Sequence, residues 1–196
     1  IMPVYSMKNR TSFAFSAENP TGSRNGGTHG KDCEKLNACI TIEPHKTVTL
    51  CDTDGEGMIT HIWFTGYVGH SFIMRIYWDN EEFPSVEAPI SAFFGCAYDE
   101  NFEDIDGKYI TLNSAMILTA PGRGFNSYFE MPFKKHCKIT MENRSDRGET
   151  LYYMISARWR RTRDISMRST DRSIPFKRDV PTASLTEFTE KARLSA

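Results

Sequence analysis

No Cys-x-x-Cys spacing, Gly-x-Ser-x-Gly elbow, His-Glu-x-x-His pair or phosphate-binding glycine loop occurs in the chain. Their absence removes the usual signatures of zinc sites, serine hydrolases, zinc peptidases and nucleotide-phosphate cradles. An excess of charge of one sign is missing too: 24 Lys+Arg stand against 25 Asp+Glu, a formal charge of -1. So even a balance exerts no long-range pull on nucleic acid or an anionic membrane, and neither is an expected partner. No apolar run approaches the roughly 18 residues that span a bilayer. The start, IMPVYSMKNR, has no apolar signal-peptide core, so the expected location is cytoplasmic. The cysteines Cys33, Cys39, Cys51, Cys96 and Cys137 are odd in number and scattered, which fits reduced, packed thiols better than a disulfide framework. Without export the sequons at Asn9 and Asn143 carry no weight. No metal and no cofactor is implied.

What the chain does have is short apolar runs between turn residues. Met58 to Thr65 and Phe72 to Asp79 read as a central strand pair; in the second run Phe72, Met74, Ile76 and Trp78 alternate with Ile73, Arg75, Tyr77 and Asp79. Ala38 to Glu43 and Thr47 to Asp52, separated by Pro44-His45-Lys46, have the spacing of a hairpin. Ser12 to Ser16, Ser85 to Ile90, Tyr109 to Thr119, Phe125 to Met131, Cys137 to Glu142 and Thr150 to Ile155 are further strands. In Cys137 to Glu142 the alternation is clean, with Cys137, Ile139 and Met141 on one face. About ten short strands without an amphipathic helix make an all-β sandwich or barrel.

Three segments fall outside this pattern. Residues 17–37 hold Pro20 and several glycines, a loop long enough to serve as a lid or subunit-crossing arm carrying Arg24, Asn25, His29 and Asp32; the alternative is a floppy arm. Asp99, Glu100, Glu103, Asp104 and Asp106 form an acidic loop without EF-hand spacing, read as solvated. From Arg158 to Arg178 basic residues dominate and apolar ones are sparse, so this is a solvated or partner-bound tail. The expected organisation is 1–37, a strand and glycine-rich arm; 38–157, the β domain; and 158–196, a basic, largely irregular tail.

Several segments, in order, resemble a known family: AFSAENPTG, ITIEPHKTVTLCDTDGEGMITHIWFTG, RIYWDNEEFPSVEAPISAFFG, LNSAMILTAPGRGFNSYFEMPFKKHCKITMEN and LYYMI. They are similar to the N-terminal half of glycoside hydrolase family 172, also catalogued as domain of unknown function 2961, over about residues 13–161. The resemblance implies β jelly rolls, two in tandem in the family, assembled as trimers or their multiples. It also implies action on furanosides, α-D-fructofuranosides and D-arabinofuranosides, by a retaining mechanism with two carboxyl groups about 5 to 5.5 Å apart. In the family both carboxyls come from the second roll, one in a Gly-Thr-Glu-Asp-Tyr-Phe turn that this sequence lacks. The expectation is therefore a single jelly roll without catalytic residues. It would be non-catalytic alone or need a partner chain, and be homo-oligomeric with a furanoside ligand. The alternative is a structural jelly-roll subunit that self-assembles into oligomers or shells.

Glu81, Glu82 and Glu87 are the carboxylates near the central strands, and Glu87, on a strand, is the first to test if activity is found. Sugar binding needs an aromatic platform and a few fixed polar groups in a concavity. Trp63, with His61 on the same strand face, and the loop residues Arg24 and Asp32 are the candidates. The competing reading makes Trp63 core and His61 its satisfied neighbour.

Overall fold

Most strands of this chain carry one strongly apolar face, and the fold lets those faces meet. The computed structural model describes residues 11–96, 111–120 and 124–159. The acidic loop, the Pro121-Gly122-Arg123 turn, the start of the strand expected from Tyr109 and the basic segment from 160 onward lie outside these residues.

The strands are β1 (Thr11–Ser16), β2 (Ile40–Ile42), β3 (Thr47–Asp54), β4 (Gly57–Gly66), β5 (Phe72–Trp78), β6 (Val86–Pro89), β7 (Ile117–Ala120), β8 (Gly124–Ser127), β9 (Met131–Phe133), β10 (His136–Asn143) and β11 (Glu149–Trp159). Among the described residues the helical structure is one short helix, Ile90–Phe93, and a 3-10 turn at Lys31–Cys33. One sheet has the order β1-β11-β4-β8-β7, with β2 also on β11 and β9 also on β4; the second has the order β3-β10-β5-β6. All pairings are antiparallel. The chain changes sheet between β2 and β3, β3 and β4, and β4 and β5, which is the path of a jelly roll.

That path corrects two expected pairings. β2 and β3 are not a hairpin: β2 pairs with β11 and β3 with β10. Nor do β4 and β5 pair, since β4 lies between β11 and β8 while β5 lies between β10 and β6. The reason is burial. Two adjacent strands of one sheet turn their apolar faces the same way, whereas strands in facing sheets cover each other. Ile62 and Phe64 of β4 and Phe72, Met74 and Ile76 of β5 are all fully buried in a single core. Burying each such side chain contributes about 1.5–3 kcal/mol. Two strand boundaries also change. Among the described residues the run expected up to Thr119 is strand from Ile117, and Phe125 to Met131 breaks into β8 and β9.

β11 continues to Trp159, past the expected start of the tail. The indole stacks on Phe13 at 4.6 Å and meets Phe133 edge-on at 6.3 Å, while Phe133 stacks on Trp78 at 6.2 Å. These four rings close one edge of the core. Of the cysteines, Cys51, Cys96 and Cys137 are buried, Cys39 is half-buried and Cys33 is exposed. The packed-thiol expectation thus holds for three.

One irregularity decides which residues reach the surface. Between β4 and β11 the register slips, pairing Ser156 with His61 but Ala157 with Ile59, so Thr60 is an extra residue, a β-bulge. Its hydroxyl donates to the Ser156 carbonyl at 3.3 Å. Strict alternation from the buried Ile59 would turn His61 and Trp63 into the core. With Thr60 inserted, Ile62 and Phe64 take the core positions, and His61 and Trp63 face outward, half-buried.

Candidate functional site

Outside the longer sheet lies a cleft of about 500 Å³, with Trp63 and His61 from β4, Asn126 from β8 and Tyr152 and Met154 from β11 in its lining. The register sets the central row: Met154 pairs with Trp63 and Trp63 with Asn126. His61 is fixed on two sides, by Nε2 at 3.0 Å from Asn126 Oδ1 and by stacking on Tyr128 at 4.8 Å. Tyr152 and Met154 remain over a third exposed. Their neighbour Tyr153 belongs to the core, where burial pushes its phenol up to about 12.

The loop between β1 and β2 supplies a wall through Glu18, Lys35, Asn37 and Ala38. Two side chains at its base give it shape. Asn19 donates through Nδ2 to the carbonyls of Ala14 (3.2 Å) and Ser23 (3.0 Å) and accepts the Ser23 N–H at 3.1 Å. The Glu18 carboxylate accepts the N–H of Asn37 at 2.6 Å and of Thr28 at 3.1 Å. These backbone bonds, Asn37's foremost, hold the Glu18 carboxyl below the ordinary carboxylate range.

The structure brings His61 and Trp63 together on this cleft. Arg24 and Asp32 are exposed in the same loop and are not among the lining residues. Trp63 is not a core residue, while His61 does have the satisfied partner that the competing reading expected. Sequence reasoning missed Asn126, Tyr128 and Glu18. It also missed Tyr152 and Met154, which the alternation of Leu151, Tyr153 and Ile155 would have turned outward.

The carboxylates considered for catalysis lie elsewhere. Glu87 sits on β6 of the second sheet, where Arg75 Nε meets its Oε2 at 3.1 Å. On the other side Arg75 Nη2 meets Glu142 Oε2 at 2.7 Å, so a fixed cation takes up both carboxylates. Glu81 accepts the Ser85 hydroxyl at 3.2 Å, also on the second sheet's side. No group of three or more His, Cys, Asp or Glu side chains suited to a metal ion occurs among the described residues. Nor is any described helix long and apolar enough to cross a membrane.

Fold and site together define a β-sandwich domain with a partly aromatic cleft on the outer face of one sheet. The family model described as the GH172 first beta-sandwich domain matches residues 3–164. The chain belongs to this family of glycoside hydrolase domains, and the match is to the family's N-terminal half alone. No curated protein matches the chain.

Proposed function

We propose that this domain binds furanosides in the cleft at His61 and Trp63 and does not hydrolyse them by itself, turnover requiring a partner chain. The observation that carries the reading is the Thr60 bulge, which turns Trp63 outward beside a histidine already fixed by Asn126 and Tyr128. Preset polar groups around an exposed aromatic are what a sugar ring, with apolar faces and a polar rim, requires. Membership of a glycoside hydrolase family supports the ligand class. The absence of turnover is argued from Glu87 and Glu142, which are committed to Arg75.

The test incubates the purified chain with aryl α-D-fructofuranoside and aryl D-arabinofuranoside while following tryptophan fluorescence and phenol release. Saturable fluorescence change without release above background is expected. Robust release would overturn the non-catalytic part, and an unchanged spectrum would overturn the site.

The second reading, a self-assembling subunit such as a trimer, is favoured by the exposure of Tyr128, Phe129, Tyr152 and Met154, between 36% and 42%. Analytical ultracentrifugation checks it. A single monomeric species across a hundredfold range of concentration would remove it.

A further inference from the structure

A neutral imidazole uses its two nitrogens in opposite ways: one carries hydrogen and donates, the other accepts. At His61 the choice between them is made by Asn126. The amide Nδ2 of Asn126 donates to the Leu118 carbonyl on the neighbouring strand β7, at 3.4 Å, which leaves Oδ1 as the atom turned to His61. Reversed, the amide would set Oδ1 against that carbonyl, two acceptors with no hydrogen between them. Oδ1 lies 3.0 Å from His61 Nε2, and an amide oxygen can only accept. Nε2 therefore carries the hydrogen, and Nδ1 keeps a bare lone pair.

Turning the ring would break this arrangement. Stacking on Tyr128, with 20° between the planes, fixes the ring plane, and a half-turn that preserved the plane would put a C–H where Nε2 meets Asn126. Nδ1 has no partner among the described residues and is not sealed off from solvent, on a side chain that lines the cleft beside Trp63. The other fixed acceptors of the lining are in use. Ser16 Oγ accepts the Asn19 N–H at 3.1 Å, and the Glu18 carboxylate accepts those of Asn37 and Thr28.

We infer that Asn126 is a positioning residue that holds His61 as its Nε2–H tautomer, and that His61 Nδ1 is the specificity-determining acceptor for a ligand hydroxyl. The inference rests on the reading of the cleft as a furanoside site and narrows the ligand. It is a furanoside with a free hydroxyl beside the ring face that lies on Trp63, and one etherified or acylated at that position is refused. A site shaped to accept a hydroxyl hydrogen discriminates strongly against an analogue without it, because the acceptor is then desolvated and left unpaired.

The experiment has two arms, both on the full chain. In the first, nitrogen NMR of isotope-labelled protein without ligand, at mildly alkaline pH, reads which ring nitrogen of His61 carries the hydrogen, with His61→Gln used to assign the signals. Nε2–H is expected in the wild type and a mixture of tautomers in Asn126→Leu; Nδ1–H in the wild type would overturn the inference. In the second, calorimetry compares methyl arabinofuranoside with its mono-deoxyfluoro analogues, since fluorine replaces a hydroxyl at similar size but cannot donate. One analogue should bind the wild type at least about tenfold more weakly than the parent, and that difference should vanish in His61→Phe, or in His61→Gln if the phenylalanine variant is poorly folded by circular dichroism. Binding without such discrimination, or discrimination that survives loss of His61, overturns the inference alone. No binding of any furanoside would overturn the cleft reading and this role with it.

Discussion

Single side chains in this domain hold more than their own positions. Asn143 is fully buried; its Nδ2 donates to the carbonyls of Ile42 (2.8 Å) and Arg147 (2.7 Å), and its Oδ1 accepts from the N–H and hydroxyl of Ser145. The sequon at Asn143 is therefore closed in the folded protein, because both amide hydrogens are in use. Asn143→Ala strands these partners and should cost about 1–3 kcal/mol, read from urea unfolding. Thiol labelling tests the core in another way. Cys33 is expected to react with a disulfide reagent in the native protein, whereas Cys51, Cys96 and Cys137 should react only on unfolding. For Cys51 a hydrogen bond with Cys137, together with burial, pushes the thiol up, away from the reactive thiolate. Fast native labelling of Cys51 would contradict the packing described. Glu142 gives a pH dependence. Hydrogen bonds from Arg144 and then Arg75, set against burial, hold its carboxyl below the ordinary value. The folded pKa is thus lower than the unfolded one, about 4.3. Its contribution to stability is fully present above that pH and is lost as pH falls through the folded value. Glu142→Gln should flatten the acid limb of the melting-temperature profile and leave its slope near neutral pH unchanged.

At the scale of elements, the β4 bulge absorbs Thr60, so that Ile59 and the Ile62/Phe64 pair share the core face and Trp63 stays outward. Deleting Thr60 leaves Ile59 and Ile62 two positions apart, so Ile59, Ile62 and Phe64 keep the core face without a bulge. Trp63 should therefore stay outward and open to quenching by iodide, and a Trp63 protected from iodide in the deletion variant would contradict the bulge assignment. The corner from β3 into β4 is equally constrained. Gly55 has φ +112°, and a Cβ there would stand 2.5 Å from Trp159. This is where residue patterns stopped being sufficient. Period-two alternation located β5 and β10 and picked their buried faces, because Met74, Ile76, Ile139 and Met141 leave one choice. It could not place β4, where His61-Ile62-Trp63-Phe64 offers an apolar face either way and the bulge makes the selection. Nor could it show that β3, β4 and β5 alternate between sheets, since a short turn serves a hairpin and a sheet-to-sheet corner alike. His61 and Trp63 were legible as a pair. The supports of His61, Asn126 and Tyr128, and the cleft-lining Glu18 lie far away in sequence and come to the cleft only through the topology.

For the molecule as a whole, the two sheets of the sandwich present outer faces of different character. The longer sheet presents an aromatic cleft walled by a pinned loop, and the shorter one a polar groove whose arginine, Arg75, is taken up by Glu87 and Glu142. Membership of the glycoside hydrolase domain family sets the chemistry to look for. Among the candidate residues, Trp63 and His61 share a cleft while Glu87 belongs to the opposite sheet; the carboxylate that lines the cleft, Glu18, is taken up by the N–H groups of Asn37 and Thr28. The most direct measurement is the affinity of the wild-type chain and of Trp63→Ala for arabinofuranoside and fructofuranoside oligosaccharides, titrated calorimetrically with both proteins shown to be equally folded. Binding by the wild type that weakens at least about tenfold in the variant is the predicted result. Equal affinity of the two proteins, or no binding by the wild type, would contradict it.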